Sequence, residues 1–216
     1  MPLMSKKVAS FPPQVAEGCR VLVLGTVPSL RSLEMRQSYA HAHNLFWPFM
    51  GVLYGAGPDL PYAERIALLQ AAGVGIWDVL KHCERPGSLD SSIRPESEVP
   101  NDIPALLDAY PTIRAIALNG GKAQQVFARR IRNRIRPMRL ADLEILALPS
   151  TSPANASIPR PVKLERWREV LRYAPAPSRS GTAARAGKAP AGGVLVCSGK
   201  RTDTSPVHHQ PKGDPA

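Results

Sequence analysis

Three short apolar runs limit the fold open to this chain more than anything else in it. Arg20-Val21-Leu22-Val23-Leu24 is stopped by Gly25, Ile113 to Leu118 by Asn119-Gly120-Gly121, and Leu143 to Leu148 by Pro149. Runs of this length, rich in branched residues and lacking clean polar alternation, read as strands covered on both faces. Val74-Gly75-Ile76-Trp77-Asp78-Val79-Leu80 is a fourth candidate strand. Helical spacing fills the intervals. Ala63, Ile66, Ala67 and Gln70 share a face ahead of Gly73, and Pro104 opens a short helix to Tyr110 capped by Asn101 or Asp102. Phe127, Ile131 and Ile135 align along a helix begun at Lys122, and Leu164, Trp167 and Leu171 align along the last one. Strands alternating with helices predict an α/β protein: a three-layer α/β/α sandwich around a central, mostly parallel sheet of about four strands. Such sheets bind ligands beyond the carboxyl ends of their strands, so the residues that stop each run are where chemistry is sought.

The chain has 216 residues, enough for one domain and a tail. Residues 1–19 read as a lead-in, 20–174 as the folded domain, and 175–216, rich in Pro, Gly, Ser and Ala with scattered basic residues, as a disordered tail. A formal net charge of +11 points to a polyanionic partner, nucleic acid first and an anionic membrane surface second. Cys19, Cys83 and Cys197 are far apart, which fits neither a disulfide framework nor a thiolate metal cluster and favours a reducing compartment. Neither a secretory leader nor a membrane-length apolar run is present, so a cytoplasmic protein is expected.

Two segments follow predicted strands and concentrate polar and aromatic groups. Gly25-Thr26-Val27-Pro28-Ser29 lacks nucleotide-loop spacing, which argues against dinucleotide or nucleoside triphosphate cofactors. It either turns the chain, with Ser29 capping the next helix, or lines a pocket. Downstream, Tyr39-Ala40-His41-Ala42-His43-Asn44-Leu45-Phe46-Trp47 packs imidazoles, an amide and aromatic rings together, suited to holding a base. His41 and His43 have no third ligand of evident spacing, so no metal is expected. The second segment, Leu148-Pro149-Ser150-Thr151-Ser152-Pro153-Ala154-Asn155, is rigid and hydroxyl-rich, suited to phosphates, with Pro153 and Ala154 as an apolar wedge. Arg129, Arg130, Arg132, Arg134, Arg136 and Arg139 form the densest basic run, either a solvated face or an outer track for a phosphate backbone.

Together these residues resemble the uracil-DNA glycosylase superfamily, in particular its hypoxanthine-DNA glycosylase branch. The resemblance rests on Gly25, Thr26, Pro28, Ser29 and Ser32, on Tyr39, Ala40, His41, Asn44, Phe46 and Trp47, and on the Gly75 to Leu80 run. It continues through Cys83-Glu84-Arg85, Gly87-Ser88-Leu89-Asp90-Ser91, Asn119-Gly120 and Leu148 to Asn155. Ala42 and His43 depart from the branch pattern, and Leu148 stands where other branches carry a base-stabilising His.

The resemblance implies a cofactor-free, monofunctional glycosylase of base-excision repair. It would act as a monomer on DNA containing a deaminated base, with hypoxanthine as the foremost substrate and uracil or xanthine as rivals. Asn44 would be the catalytic residue. Gly25, Thr26, Pro28, Ser29, His41 and Phe46 would form the base pocket, with Phe46 stacking on the base. Ser150, Thr151, Ser152, Pro153, Ala154 and Asn155 would hold the DNA. No Asp or Glu stands in either motif, so dissociative cleavage with a positioned water is expected rather than carboxylate activation. The alternatives are a catalytically silent basic DNA-binding module of the same fold and an enzyme acting on a small phosphorylated metabolite.

Overall fold

The computed structural model describes residues 6–176. The disorder expected for the tail falls, beyond Ala176, outside the described residues. A four-stranded, wholly parallel sheet is formed by β2 (Val21–Gly25), β3 (Val74–Asp78), β6 (Ala115–Asn119) and β7 (Glu144–Leu148), in the order β3-β2-β6-β7. The central strands β2 and β6 are buried along their whole length, whereas the edge strand β7 exposes alternate residues.

The two-residue period of a strand sends its side chains into two separate cores. Leu22, Leu24, Ile116 and Leu118 face one layer, packed with Leu107, Val126, Phe127 and Ile131. Val21, Val23, Ala115 and Ala117 face the other, packed with Phe46, Phe49, Met50 and Trp167. The first layer takes its cover from α4 (Ile103–Ala109) and α5 (Gly121–Val126); the second takes it from α2 (Phe46–Tyr54), α3 (Tyr62–Ala71) and α7 (Arg160–Trp167). The sandwich expected from the sequence is therefore the fold observed. The short helices α1 (Leu30–Met35) and α6 (Pro137–Ala141) complete the set.

The helix signals hold in detail at both ends of the first core. Asp102 caps α4, its carboxylate accepting from the Ala105 N–H at 3.4 Å. The helix begun at Gly121 does not run on regularly to Arg134: after Val126 it widens into a π turn over Phe127–Ile131 and closes with a 3₁₀ turn over Arg132–Arg134. Phe127, Ile131 and Ile135 are nevertheless all buried.

A second sheet lay outside the sequence reading. β1 (Lys6–Ala9), β4 (Leu80–Arg85) and β5 (Val99–Pro100) pair antiparallel in the order β1-β4-β5. Residues 6–19, read as a lead-in, thus contribute a strand, and Gln14 also bridges to Ile76. The candidate strand Val74–Leu80 is split at Val79, where the chain passes from one sheet to the other. The Val79 N–H donates to the Gly25 carbonyl at 2.8 Å and the Leu80 N–H to the Thr26 carbonyl at 3.1 Å. Asp78 is consequently a strand end. That places it beside Gly25, its register partner.

Among the described residues no helix is long and apolar enough to cross a membrane.

Candidate active site at the carboxyl edge of the sheet

The ends of β2, β3, β6 and β7 open onto one cleft of about 280 Å³, small for a ligand site and of a scale suited to a compact group. Gly25 to Ser29, Asn44, and Ser150 to Ser152 with Ala154 and Asn155 all line it, so two segments more than a hundred residues apart in sequence share one site. Asp78, Arg85, Asp90, Asn119 and Lys122 line it as well.

The floor is Gly25. A Cβ built there would lie 2.7 Å from Asp78 Oδ1 and 2.9 Å from Tyr39 Oη, so the absence of a side chain lets two polar groups meet over the backbone. Thr26 is buried, and its hydroxyl donates to Asp90 Oδ2 at 2.7 Å. Ser29 does what a turn-and-cap reading expects: its hydroxyl accepts from the Ser32 N–H at 3.1 Å at the start of α1. The Pro28 carbonyl accepts from Arg85 Nη2 at 2.6 Å. Arg85 also donates to the Gly87 carbonyl at 3.1 Å and pairs with Asp90 Oδ1 at 3.5 Å. At 1 % side-chain exposure, Arg85 is a buried staple joining the Gly25 loop to the Gly87–Ser91 loop.

Asn44 is half-buried, and its Oδ1 accepts from the Phe46 N–H at 2.9 Å in a local side-chain turn ahead of α2. Its backbone N–H donates to the His41 carbonyl at 2.8 Å. The amide oxygen retains a second lone pair, the residue lines the cleft, and the amide NH₂ forms no hydrogen bond with another described group. His41 itself is exposed, away from the cleft, and its Nδ1 accepts from the His43 N–H at 3.2 Å. It shapes the turn that carries Asn44 and does not reach the base position.

Phe46 is also absent from the cleft wall, being fully buried between layers. Its ring stacks on Tyr39, 3.9 Å between centroids, and meets Trp47 and Trp167 edge-on. The aromatic residues in the cleft wall are Tyr39, backed by Phe46, and Trp77. Large rings are held inside by the area they bury, and Phe46 follows that rule. Tyr39 has a left-handed φ of +58°, a strained conformation for a side chain of its size. Burial first, then the Asp78 charge, raises the pKa of its phenol, with the Asn119 side chain opposing.

The second loop is pinned from beneath. Asn119 donates from Nδ2 to the Thr151 hydroxyl and accepts from the Thr151 N–H, both at 2.9 Å. Thr151 is completely buried, so its hydroxyl serves the loop and is not free for a phosphate. Lys163 is buried too; its ammonium donates to the Ser150 carbonyl at 2.7 Å and to the Asn155 carbonyl. Burial lowers its pKa. Trp167 Nε1 donates to the Pro149 carbonyl at 3.0 Å. Gly120, at φ +96°, lets the chain pass under Ser150, whose Cβ would lie 2.7 Å from an added Cβ. Ser152 remains half-buried, Pro153 and Ala154 are exposed at the tip, and the Asn155 Oδ1 is buried without a partner.

Two expectations change on this geometry. The motifs themselves lack acids, yet Asp78 and Asp90 bring two carboxylates into the cleft from segments between the motifs. Burial first, then the nearby Asp90 charge, pushes Asp78 up to about 7, with the Arg85 guanidinium opposing. A lysine is present as well, Lys122, and its ammonium is committed to Glu98 Oε1 at 2.6 Å. Tyr39, Asp78, Arg85, Asp90, Asn119, Lys122 and Lys163 all went unassigned in the sequence reading. Four of them, Asp78, Arg85, Asn119 and Lys122, sit at or just after strand ends, the position that could have marked them. The basic run is largely engaged: Arg130 pairs with Glu98, Arg134 with Asp102 and Arg136 with Asp108. Arg139 donates to the Ile113 carbonyl at 2.8 Å.

A base-sized cleft at the carboxyl edge of this sheet meets a direct match in the family comparison. Residues 12–172 match the family described as the uracil DNA glycosylase superfamily. The chain belongs to that superfamily, and it is a DNA glycosylase, a hydrolase of N-glycosyl bonds. Within it, the chain is 33 % identical over 165 residues to a protein named hypoxanthine DNA glycosylase from Methanosarcina acetivorans, covering 76 % of this chain and 97 % of that one. It is 33 % identical over 118 residues to a protein of the same name from Methanosarcina barkeri, covering 54 % and 73 %. A solution NMR structure of a candidate uracil DNA glycosylase from Methanosarcina acetivorans superposes with a TM-score of 0.63 at 31 % identity, covering 77 % of this chain and 98 % of that one.

Proposed function

We propose that this glycosylase removes a deaminated base from DNA, hypoxanthine foremost with uracil or xanthine as further substrates, without metal or other cofactor, and without strand cleavage. One observation carries the reading: Asn44, the Gly25 floor and the exposed tip of the 150–155 loop open onto the same small cleft. The names of the Methanosarcina relatives support hypoxanthine as the base.

A nucleotide extruded from the duplex would enter the cleft over the Gly25 loop, and a mispaired base is the least costly to extrude. Tyr39 takes the stacking role, in place of the buried Phe46. As the glycosidic bond stretches, positive charge grows on the sugar and negative charge on the base. Asn44 uses its free lone pair to orient a water toward C1′. A neutral amide is a weak base, so its contribution is placement. Ser150, Ser152 and the Pro153-Ala154 tip hold the strand beside the extruded nucleotide, steadied from below by Asn119 and Lys163. Lys122, the lysine in the cleft wall, is engaged with Glu98 at 2.6 Å, which supports a monofunctional enzyme. The folded part, residues 20–174, works as a single catalytic domain and as a monomer.

The test is base release from a duplex oligonucleotide carrying one deoxyinosine, read by alkaline cleavage at the abasic site, with deoxyuridine and deoxyxanthosine duplexes in parallel. Asn44→Ala is expected to lower the hypoxanthine rate by about 10²–10³-fold, the scale of losing one oriented polar group. Salt-sensitive DNA binding by the parent with no release of any base would instead establish the silent binding module.

A further inference from the structure

Asp78 is a carboxyl of the cleft whose side chain is left without a hydrogen-bond partner among the described residues. Its backbone is locked: the Asp78 carbonyl accepts from Asn101 Nδ2 at 2.9 Å, and its neighbour Val79 donates to the Gly25 carbonyl at 2.8 Å. From that fixed point Oδ1 hangs over the Gly25 floor, 2.7 Å from where a Cβ would stand, with the Tyr39 hydroxyl 2.9 Å from the same point. The carboxyl lines the cleft yet forms no hydrogen bond or ion pair with any described side chain.

The counter-charge that acts on it, the Arg85 guanidinium, is outweighed by burial and by the Asp90 charge. Arg85, on β4, is occupied by two carbonyls and Asp90. Asp90 is a like charge, and Lys122 on α5 acts on Asp90 while paired to Glu98. Tyr39 is a buried phenol whose pKa is raised. A half-buried carboxyl in such company keeps its proton near neutral pH, and the direction given above, up to about 7, agrees with that.

Of the other acids in the cleft, Asp90 is tied to Arg85, and the raised pKa of the buried Tyr39 phenol makes it a poor donor. The Thr26 hydroxyl donates to Asp90, the Thr151 hydroxyl is held by Asn119, and Leu148 is an apolar residue buried in the core. Asn44 is a neutral amide. We infer that Asp78, as the neutral carboxylic acid, is the general acid that protonates the departing base. This rests on the glycosylase reading above and adds a catalytic residue to it.

The step balances as follows. The bond from C1′ to the base nitrogen breaks with its electron pair leaving on the base, while the Asp78 proton moves to a base nitrogen and yields the neutral free base. The water oriented by Asn44 adds its oxygen to C1′, and the proton it loses returns to the Asp78 carboxylate, which restores the enzyme. A carboxyl poised near neutrality suits this work, since it holds its proton at rest and gives it up readily.

The experiment is a single-turnover pH profile of base release from the deoxyinosine duplex, comparing the parent with Asp78→Asn. The parent rate is expected to fall about tenfold per pH unit above a break near 7. Asp78→Asn should be slower by about 10²–10⁴-fold and lose that alkaline limb. Xanthine, a better leaving anion through its extra carbonyl, should suffer less from the substitution than hypoxanthine, a difference that a merely structural defect would not produce. Thermal unfolding and binding to an abasic-site duplex check that the variant is folded. A parent rate that rises through the break would overturn the inference, because Asp78 would then be acting as a base. An Asp78→Asn profile matching the parent's would overturn it as well. Either result leaves the glycosylase reading standing, whereas a parent that releases no base brings both down.

Discussion

The two segments that meet in the cleft are built on opposite plans. The loop from Ser150 to Asn155 is satisfied from below: Asn119, Lys163 and Trp167 hold its backbone, and only the tip from Ser152 to Ala154 is left toward solvent. Around Gly25 the construction is incomplete. Asp78 has no partner, Tyr39 sits at positive φ with a buried phenol, and Arg85 is the sole guanidinium among the residues lining the cleft. A surface that only holds a strand can be finished and rigid in the free protein. A surface that must move protons keeps groups whose bonding is completed only by substrate. The contrast agrees with the proposed division of labour, chemistry at the Gly25 end and grip at the 150–155 end, and substitutions should separate the two.

The largest separation is expected from Gly25→Ala. The new Cβ would press on Asp78 Oδ1, the end of a short side chain that can swing aside, and on Tyr39 Oη, whose ring is held against Phe46, so some stability is lost and thermal unfolding checks that the variant is folded. The carboxyl would then be displaced from the base by about the width of a methyl group. A misplacement on that scale costs about 10²-fold in rate. Base release should fall by that factor while the affinity for an abasic-site duplex changes little. A parallel loss of affinity would break the division of labour.

Lys163→Met probes the other end. Methionine fills similar volume but leaves the Ser150 and Asn155 carbonyls without their donor. The buried ammonium also carries a desolvation cost that its removal recovers, so the net loss of stability is set at about 2 kcal/mol. Thermal unfolding reads that loss. The expected functional signature is weaker DNA binding with the pH profile of bound-substrate cleavage unchanged. If the pH profile shifts instead, the loop reaches the chemistry and the two ends are not independent.

How much of this could be seen in the sequence depended on whether a residue's neighbours announced its position. The four parallel strands were legible because buried strands are apolar throughout, and Gly25, Asn119 and Pro149 marked their ends. Asn44 and the Ser/Pro loop were legible because they follow such ends or carry dense polar chemistry. Asp78 was hidden because Val79 and Leu80 continue the apolar run, although they belong to the second sheet. That sheet was itself obscured: β4 reads Leu80-Lys81-His82-Cys83-Glu84-Arg85, where a register shift breaks the alternation and a charged residue, Arg85, is buried, and β1 has only four residues. That Phe46 lies behind the cleft wall and Tyr39 in it was opaque because sequence shows which aromatics are near and not which one lies in front. Tyr39 reaches the wall through a left-handed backbone that no local propensity favours. Thr151 and Lys163 were opaque for a related reason, since whether a hydroxyl or an ammonium points inward is settled by partners distant in sequence.

The smallest effect is expected from the arginines, and it asks whether the grip extends beyond the loop. Arg134 and Arg136 already neutralise Asp102 and Asp108, and Arg130 reaches Glu98. Such exposed pairs hold little energy, but each leaves less net charge for a phosphate. Arg129 and Arg132 are exposed and make no ion pair among the described residues. If the phosphate backbone runs past this surface, Arg129→Ala and Arg132→Ala should each weaken duplex binding a few-fold and lower the slope of log affinity against log salt by about 1. Arg136→Ala should do less, because the charge it removes is already countered by Asp108. Slopes that stay at the parent value for all three variants would assign the run to a solvated face, and DNA contact would then be confined to the cleft and the tip of the 150–155 loop.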